Sequence, residues 1–211
     1  MPWLFGDRAP DVLRQFVNLK CRLMPYLYAK AVEAHETGLP MMRPMTMEFD
    51  GDRACEDLDR QYMLGDGLLV APVFREDGEV EYYLPAGRWT HLLSDEVAEG
   101  GAWRKETYDV DSLPLFVRAN TILLMGASDT QTDYDYLDEL EVRVYQPDDR
   151  GTEASVVDSR GTHRMRIAAC KTENGVKVRV QGEHKGFTLA LYSGTVVRRM
   201  AVRAGQTEVE L

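Results

Sequence analysis

The run Arg60-Gln61-Tyr62-Met63-Leu64-Gly65-Asp66-Gly67-Leu68-Leu69-Val70-Ala71-Pro72-Val73-Phe74 constrains this chain most, because it joins a polar helix end, a glycine-gated turn and an uninterrupted apolar strand. Residues 56–64 are expected to form a short helix, and residues 68–74 a strand closed by the turn Glu76-Asp77-Gly78. Gly65-Asp66-Gly67 reads as a turn and not as half of a dinucleotide-binding fingerprint. The third glycine of such a fingerprint would fall at Val70, and its order is strand then helix.

Upstream of this run the apolar period is helical. Val12, Phe16, Leu19, Leu23 and Leu27 recur at intervals of three and four, which predicts one long helix over residues 10–35. Pro10 suits its first turn, Gly38 its left-handed end, and Pro25 predicts a kink in its middle. Leu13, Val17, Met24 and Tyr28 widen the apolar surface, so the helix expects neighbours on more than one side. Residues 39–47, which hold Pro40 and Pro44, read as a short edge or barrel-type strand.

Downstream the pattern turns to β. Residues 80–84, 87–92, 113–118 and 121–125 are short apolar or aromatic runs bounded by Gly, Pro, Asn and Asp. The polar stretch 127–135 is the expected linker. Beyond it residues 140–145 and 176–180 alternate, and 188–192 and 196–202 complete a small sandwich. The fold class is therefore mainly β with an N-terminal helical segment, of α+β type, and its parts are residues 1–67, 68–127 and 128–211. With 211 residues and 44% hydrophobic content the chain can build real cores, burying roughly 70% of its unfolded surface.

Three blocks together carry a resemblance: the 60–74 run, Tyr82-Tyr83-Leu84-Pro85-Ala86-Gly87-Arg88-Trp89-Thr90-His91, and Ser112-Leu113-Pro114-Leu115-Phe116-Val117-Arg118-Ala119-Asn120-Thr121-Ile122-Leu123-Leu124-Met125-Gly126. In order and spacing they resemble glycoside hydrolase family 31, and Met42-Arg43-Pro44 with the run from Cys55 to Asp66 is similar to its bacterial α-xylosidases. The resemblance implies the last units of a catalytic β/α barrel over 1–67, followed by a proximal and a distal antiparallel β-sandwich. Met1-Pro2-Trp3 looks like the end of the family's Tyr-Arg-x-Pro-Trp run. In the family both catalytic aspartates and a histidine-bearing loop precede that run, so the resemblance assigns no catalytic residue here. Trp3 and Arg43 fall near the ends of the implied barrel elements, where substrate loops sit, and are the substrate-rim candidates. For Arg43 an ion pair with an acidic neighbour competes with that role.

The residues themselves offer no rival chemistry. A retaining glycosidase needs two carboxyl groups roughly 5 Å apart across the scissile bond, and no such pair is recognisable. Asp57 and Asp59 read as helix-start or surface charges. Asp133 and Asp135 have calcium-like spacing, but Leu137 and Asp138 stand where an EF-hand loop wants an oxygen ligand and glycine, so no metal is expected. His35, His91, His163 and His184 are isolated, and no Gly-x-Ser-x-Gly elbow nominates a nucleophile. Trp89, with Tyr82 and Tyr83 across Pro85-Ala86-Gly87, fits a hairpin core, whereas Trp103 in a glycine-flanked loop is the exposed aromatic candidate.

The charge balance of 25 basic to 35 acidic residues argues against a nucleic-acid partner. No uncharged apolar stretch reaches the length of about 18 residues needed to suggest a membrane span. Cys21, Cys55 and Cys170 are odd in number and far apart, which predicts reduced thiols, no zinc site and a cytoplasmic protein. No cofactor is expected. The reading is the C-terminal portion of a retaining α-glycosidase, α-xylosidase or α-glucosidase, acting in the parent enzyme on α-linked xyloside or glucoside oligosaccharides and silent alone. Its rivals are a free-standing carbohydrate-binding β-sandwich and an assembly module built on the helix. The wide apolar helix surface also predicts self-association.

Overall fold

A computed structural model describes residues 2–211; Met1 of the Met1-Pro2-Trp3 run lies outside the described residues. The N-terminal apolar period gives two helices, α1 (Ala9–Arg22) and α2 (Met24–Thr37). The expected kink is a full break, placed at Leu23 with φ −78° and ψ −5°. Pro25 has no N–H to give to the Cys21 carbonyl, so the helical ladder is interrupted one turn back. Gly38 ends α2 as foreseen, at φ 80° with its N–H bonded to the Ala34 carbonyl at 3.0 Å.

The region 39–67 departs from expectation. Of the strand expected over residues 39–47 only Met42–Arg43 pairs, as β1, and after Pro44 comes a single helical turn, α3 (Met45–Glu48). The helix expected over residues 56–64 is absent; Arg53–Cys55 is a 3-10 turn and Tyr62–Leu64 is a strand, β2. Three apolar or aromatic residues are too few to separate period 3.6 from period 2, and pairing decides the matter. β2 pairs antiparallel with β3 (Leu68–Val70), making Gly65-Asp66-Gly67 a hairpin turn.

The remaining strands are β4 (Glu79–Leu84), β5 (Arg88–His91), β6 (Val97–Glu99), β7 (Ala102–Thr107), β8 (Leu115–Arg118), β9 (Thr121–Met125), β10 (Glu141–Tyr145), β11 (Thr152–Val157), β12 (His163–Thr172), β13 (Gly175–Gly182), β14 (Phe187–Ser193), β15 (Val196–Val202) and β16 (Glu208–Glu210). Among the described residues they form a six-stranded sheet β1-β2-β3-β8-β5-β6, a pair β4-β7, and two four-stranded sheets, β15-β14-β10-β9 and β11-β12-β13-β16. All pairs are antiparallel except β10 with β14. The architecture is thus mainly β, as expected, with one parallel ladder.

Strand parity explains the layering. In β3 and β8, Leu68, Val70, Leu115 and Val117 join the larger core, while Leu69 and Phe116 join a second core with Tyr82, Leu84 and Trp89. The six-stranded sheet is therefore covered on both faces, which is why residues 68–70 carry no polar side chain. β9 does not close the first sandwich, where the sequence division at 127 put it. It pairs with β10, in the sheet that shares the larger core with β11, β12 and β13. Strand pairing thus runs across both divisions, β9 with β10 at 127 and β1 and β2 with the first sheet at 67.

Leu19, Leu23, Tyr26 and Leu27 pack on that larger core, so the chain covers much of its own helical stripe. Leu13 and Val17, beside that stripe, stay exposed, as do Trp3, Leu4 and Phe5 in the 3-10 turn Pro2–Phe5.

Candidate functional site

Tyr26 organises the ground on which a site can form. Its hydroxyl donates to the Leu64 carbonyl at 2.7 Å and accepts the Gly67 N–H at 3.2 Å, so α2 is pinned to the β2-β3 turn. The glycines there are a steric requirement. A Cβ on Gly65 would lie 2.3 Å from the Tyr26 hydroxyl, and one on Gly67 would lie 2.6 Å from the Thr121 methyl. Burial pushes the Tyr26 phenol far above its ordinary range, so it stays a neutral donor. Lys30, one turn on, reaches Asp66 at 2.6 Å and Glu33 at 2.8 Å. Burial alone would raise the Asp66 carboxyl, but Lys30 outweighs it and holds the carboxyl below its usual value.

Beside this anchor a cleft of about 970 Å³ opens, within the size range of small-ligand pockets. Lys30 and Glu36 reach it from α2, Asn120 from the β8-β9 turn, Thr152 from β11, Arg166 from β12 and Gln181 from β13. Asn120 shapes the wall. It sits at φ 58°, a conformation asparagine tolerates better than most residues. Its side chain donates to the Gly151 carbonyl at 2.8 Å and accepts the Asp148 N–H at 3.2 Å, tying the turn to the β10-β11 loop.

The sequence candidates lie elsewhere. Trp3 is 64% exposed in the N-terminal 3-10 turn, and neither it nor Arg43 lines the cleft. Arg43 is buried. Its guanidinium bonds Glu33 and Glu48 at 2.7 Å each and the Pro40 carbonyl at 3.0 Å, which clamps α2, β1 and α3 together. Burial works against its charge, and the two glutamates more than restore it. This is the ion-paired alternative.

Trp89 is fully buried, with its indole N–H on the Pro85 carbonyl at 2.8 Å. Trp103 is 54% exposed as foreseen, but on strand β7 and not in a loop; its ring leans on Tyr83 at 52°, so the two are not coplanar. Asp135 and Asp138 bind Lys185 at 2.8 and 2.5 Å. Among the described residues no group of three or more His, Cys, Asp or Glu side chains could hold a metal.

Comparison with known proteins then places the chain. The Glycosyl hydrolase family 31 C-terminal domain matches residues 38–123, and the C-terminal domain of alpha-xylosidase YicI matches residues 135–211. The chain carries the C-terminal domains of glycoside hydrolase family 31. Alpha-xylosidase XylQ of Lactiplantibacillus pentosus is 33% identical over all of this family 31 chain, which covers 28% of that enzyme. An alpha-xylosidase of Emericella nidulans is 39% identical over 84% of the chain, which covers 24% of it. The fold superposes with a TM-score of 0.80 on the cycloalternan-forming enzyme of Listeria monocytogenes, solved with a pentasaccharide substrate. That match has 29% identity and spans 90% of this chain and 19% of that one. The chain thus spans about a quarter of the curated relatives it matches first.

Sequence reading of the family 31 chain missed the cleft because its wall comes from six separate stretches of the chain. Asn120 lies within the third resemblance block, and its turn position was a usable signal. Lys30, Thr152, Arg166 and Gln181 carry no motif.

Proposed function

We propose that this chain is the C-terminal accessory part of a cytoplasmic retaining α-glycosidase, an α-xylosidase or α-glucosidase, hydrolysing α-linked xyloside or glucoside oligosaccharides through a covalent glycosyl-aspartate intermediate. The observation that supports this best is the full-length match to α-xylosidases that are several times longer. The chain by itself is catalytically silent in this reading. Trp3 and Arg43 stay candidates for the implied barrel rim, Arg43 there as a buried clamp on Glu33 and Glu48.

The uncovered face supports an accessory role. Trp3, Leu4, Phe5, Leu13 and Val17 are between 45% and 82% exposed, a cluster of large apolar residues that water disfavours. In the parent enzyme this face packs against the catalytic part. In the isolated chain it pairs with a second copy. Light scattering tests this: the chain is expected to be dimeric or larger, and Leu13→Glu with Val17→Glu monomeric. A monodisperse monomer for the unaltered chain would refute the pairing.

A further inference from the structure

We propose that the cleft between α2 and the β11-β12-β13 sheet is a binding site for a neutral oligosaccharide. The proposal does not require the parent enzyme, since every wall of the cleft belongs to this chain.

Charge decides against ionic ligands. Each cation of the wall already has a carboxylate partner: Lys30 has Asp66 and Glu33, Arg118 has Glu48, Arg150 has Asp148, and Arg164 and Arg166 have Glu183 and Glu153. An anion would have to displace these partners. Of the lining carboxylates Glu33, Asp66 and Glu153 already have Lys or Arg partners and Glu36 faces His163, and no metal-holding group of three occurs among the described residues.

A hydroxyl-rich neutral ligand needs no such exchange. A guanidinium has five N–H groups and a carboxylate several lone-pair sites, so a paired arginine or glutamate still offers hydrogen bonds. Thr152 and Gln181 add neutral donors and acceptors, Gln181 from an exposed position. Ala29 from α2 and Ala154 from β11, both partly exposed, add small apolar surface to the lining, and the buried Ile122 and Met165 also contribute to it. Small apolar side chains among uncharged and ion-paired polar groups suit a pyranose, which has an apolar ring face and an edge of hydroxyls. Tyr26, the tyrosine in the lining, is buried with its hydroxyl committed, and the half-exposed ring there is the His163 imidazole, which faces Glu36. Weak binding follows, in the millimolar range.

Isomaltotriose titrated into isotope-labelled chain, followed by amide chemical shifts, tests the site. Shifts should map to Thr152, Ala154 and Gln181. Ala154→Phe, which adds bulk at a partly exposed position of the lining, should weaken binding at least tenfold, and Gln181→Ala, at a surface position, several-fold with an unchanged melting temperature. Inorganic phosphate should neither bind there nor compete. The proposal is overturned by the absence of saturable shifts, by shifts centred on Trp103 instead, or by phosphate occupying the cleft. Failure here leaves the accessory reading intact, because that reading is tested by catalysis.

Discussion

Single residues in this chain are held by contacts strong enough to forecast. Trp89 fills the smaller core with its indole N–H satisfied, so Trp89→Ala removes packing and strands the Pro85 carbonyl. A loss of about 3–5 kcal/mol is expected in chemical denaturation. Gly65→Ala combines a left-handed backbone, at φ 65°, with a collision against the Tyr26 hydroxyl. The backbone cost and a displaced hydrogen bond together amount to about 3 kcal/mol, read as a lowered denaturation midpoint. Glu141 supplies the pH dependence. Burial would raise its carboxyl, but Arg143 at 2.9 Å and Arg22 at 3.2 Å prevail and hold it below the ordinary range. A depressed folded value means stability that is present above the unfolded value of about 4.3 and is lost as pH falls through the folded one. Glu141→Gln should therefore flatten the acid limb of a stability-versus-pH curve while costing stability at neutral pH.

At the scale of elements, legibility followed the strength of the local pattern. β9 was bounded correctly from sequence because an uninterrupted apolar run between turn residues leaves little choice, and β15 because Gly194 and Gly205 flank a valine-rich run. The end of α2 was legible for the same reason, since Gly38 supplies a conformation other residues resist. β11 escaped notice because Glu153, Ala154 and Ser155 follow Thr152 with weak strand preference, and the sheet around them fixes their conformation. β12 was legible in principle: Met165, Ile167 and Ala169 alternate with Arg164, Arg166 and Ala168, and the first three are the buried set. The helix wrongly expected over residues 56–64 failed for want of length. The break at Leu23 matters most for the fold, because it lets α1 and α2 each follow the sheets and cover part of a stripe that a straight helix would have left bare. What remains bare is Leu13 and Val17 with the 3-10 turn before them.

At the scale of the whole molecule, two sandwiches share a layer in common and the helices lie against the larger core. Such an arrangement presents a polar cleft and an apolar face, suited to different tasks. The resemblance blocks made the family and the β architecture legible, since they fall on β2 to β5 and on β8 and β9, around which the sheets are built. The cleft was not legible, because hydrogen-bonding side chains become a site only when distant strands bring them together. Complementation tests the central claim most directly. The chain is produced together with the portion of an α-xylosidase relative that precedes the matched region, and aryl α-xyloside hydrolysis is measured for each piece and for the pair. The account predicts no turnover by the chain alone and greater turnover by the pair than by the catalytic piece alone. Turnover by the repurified chain alone, or a pair no more active than the catalytic piece, would contradict it.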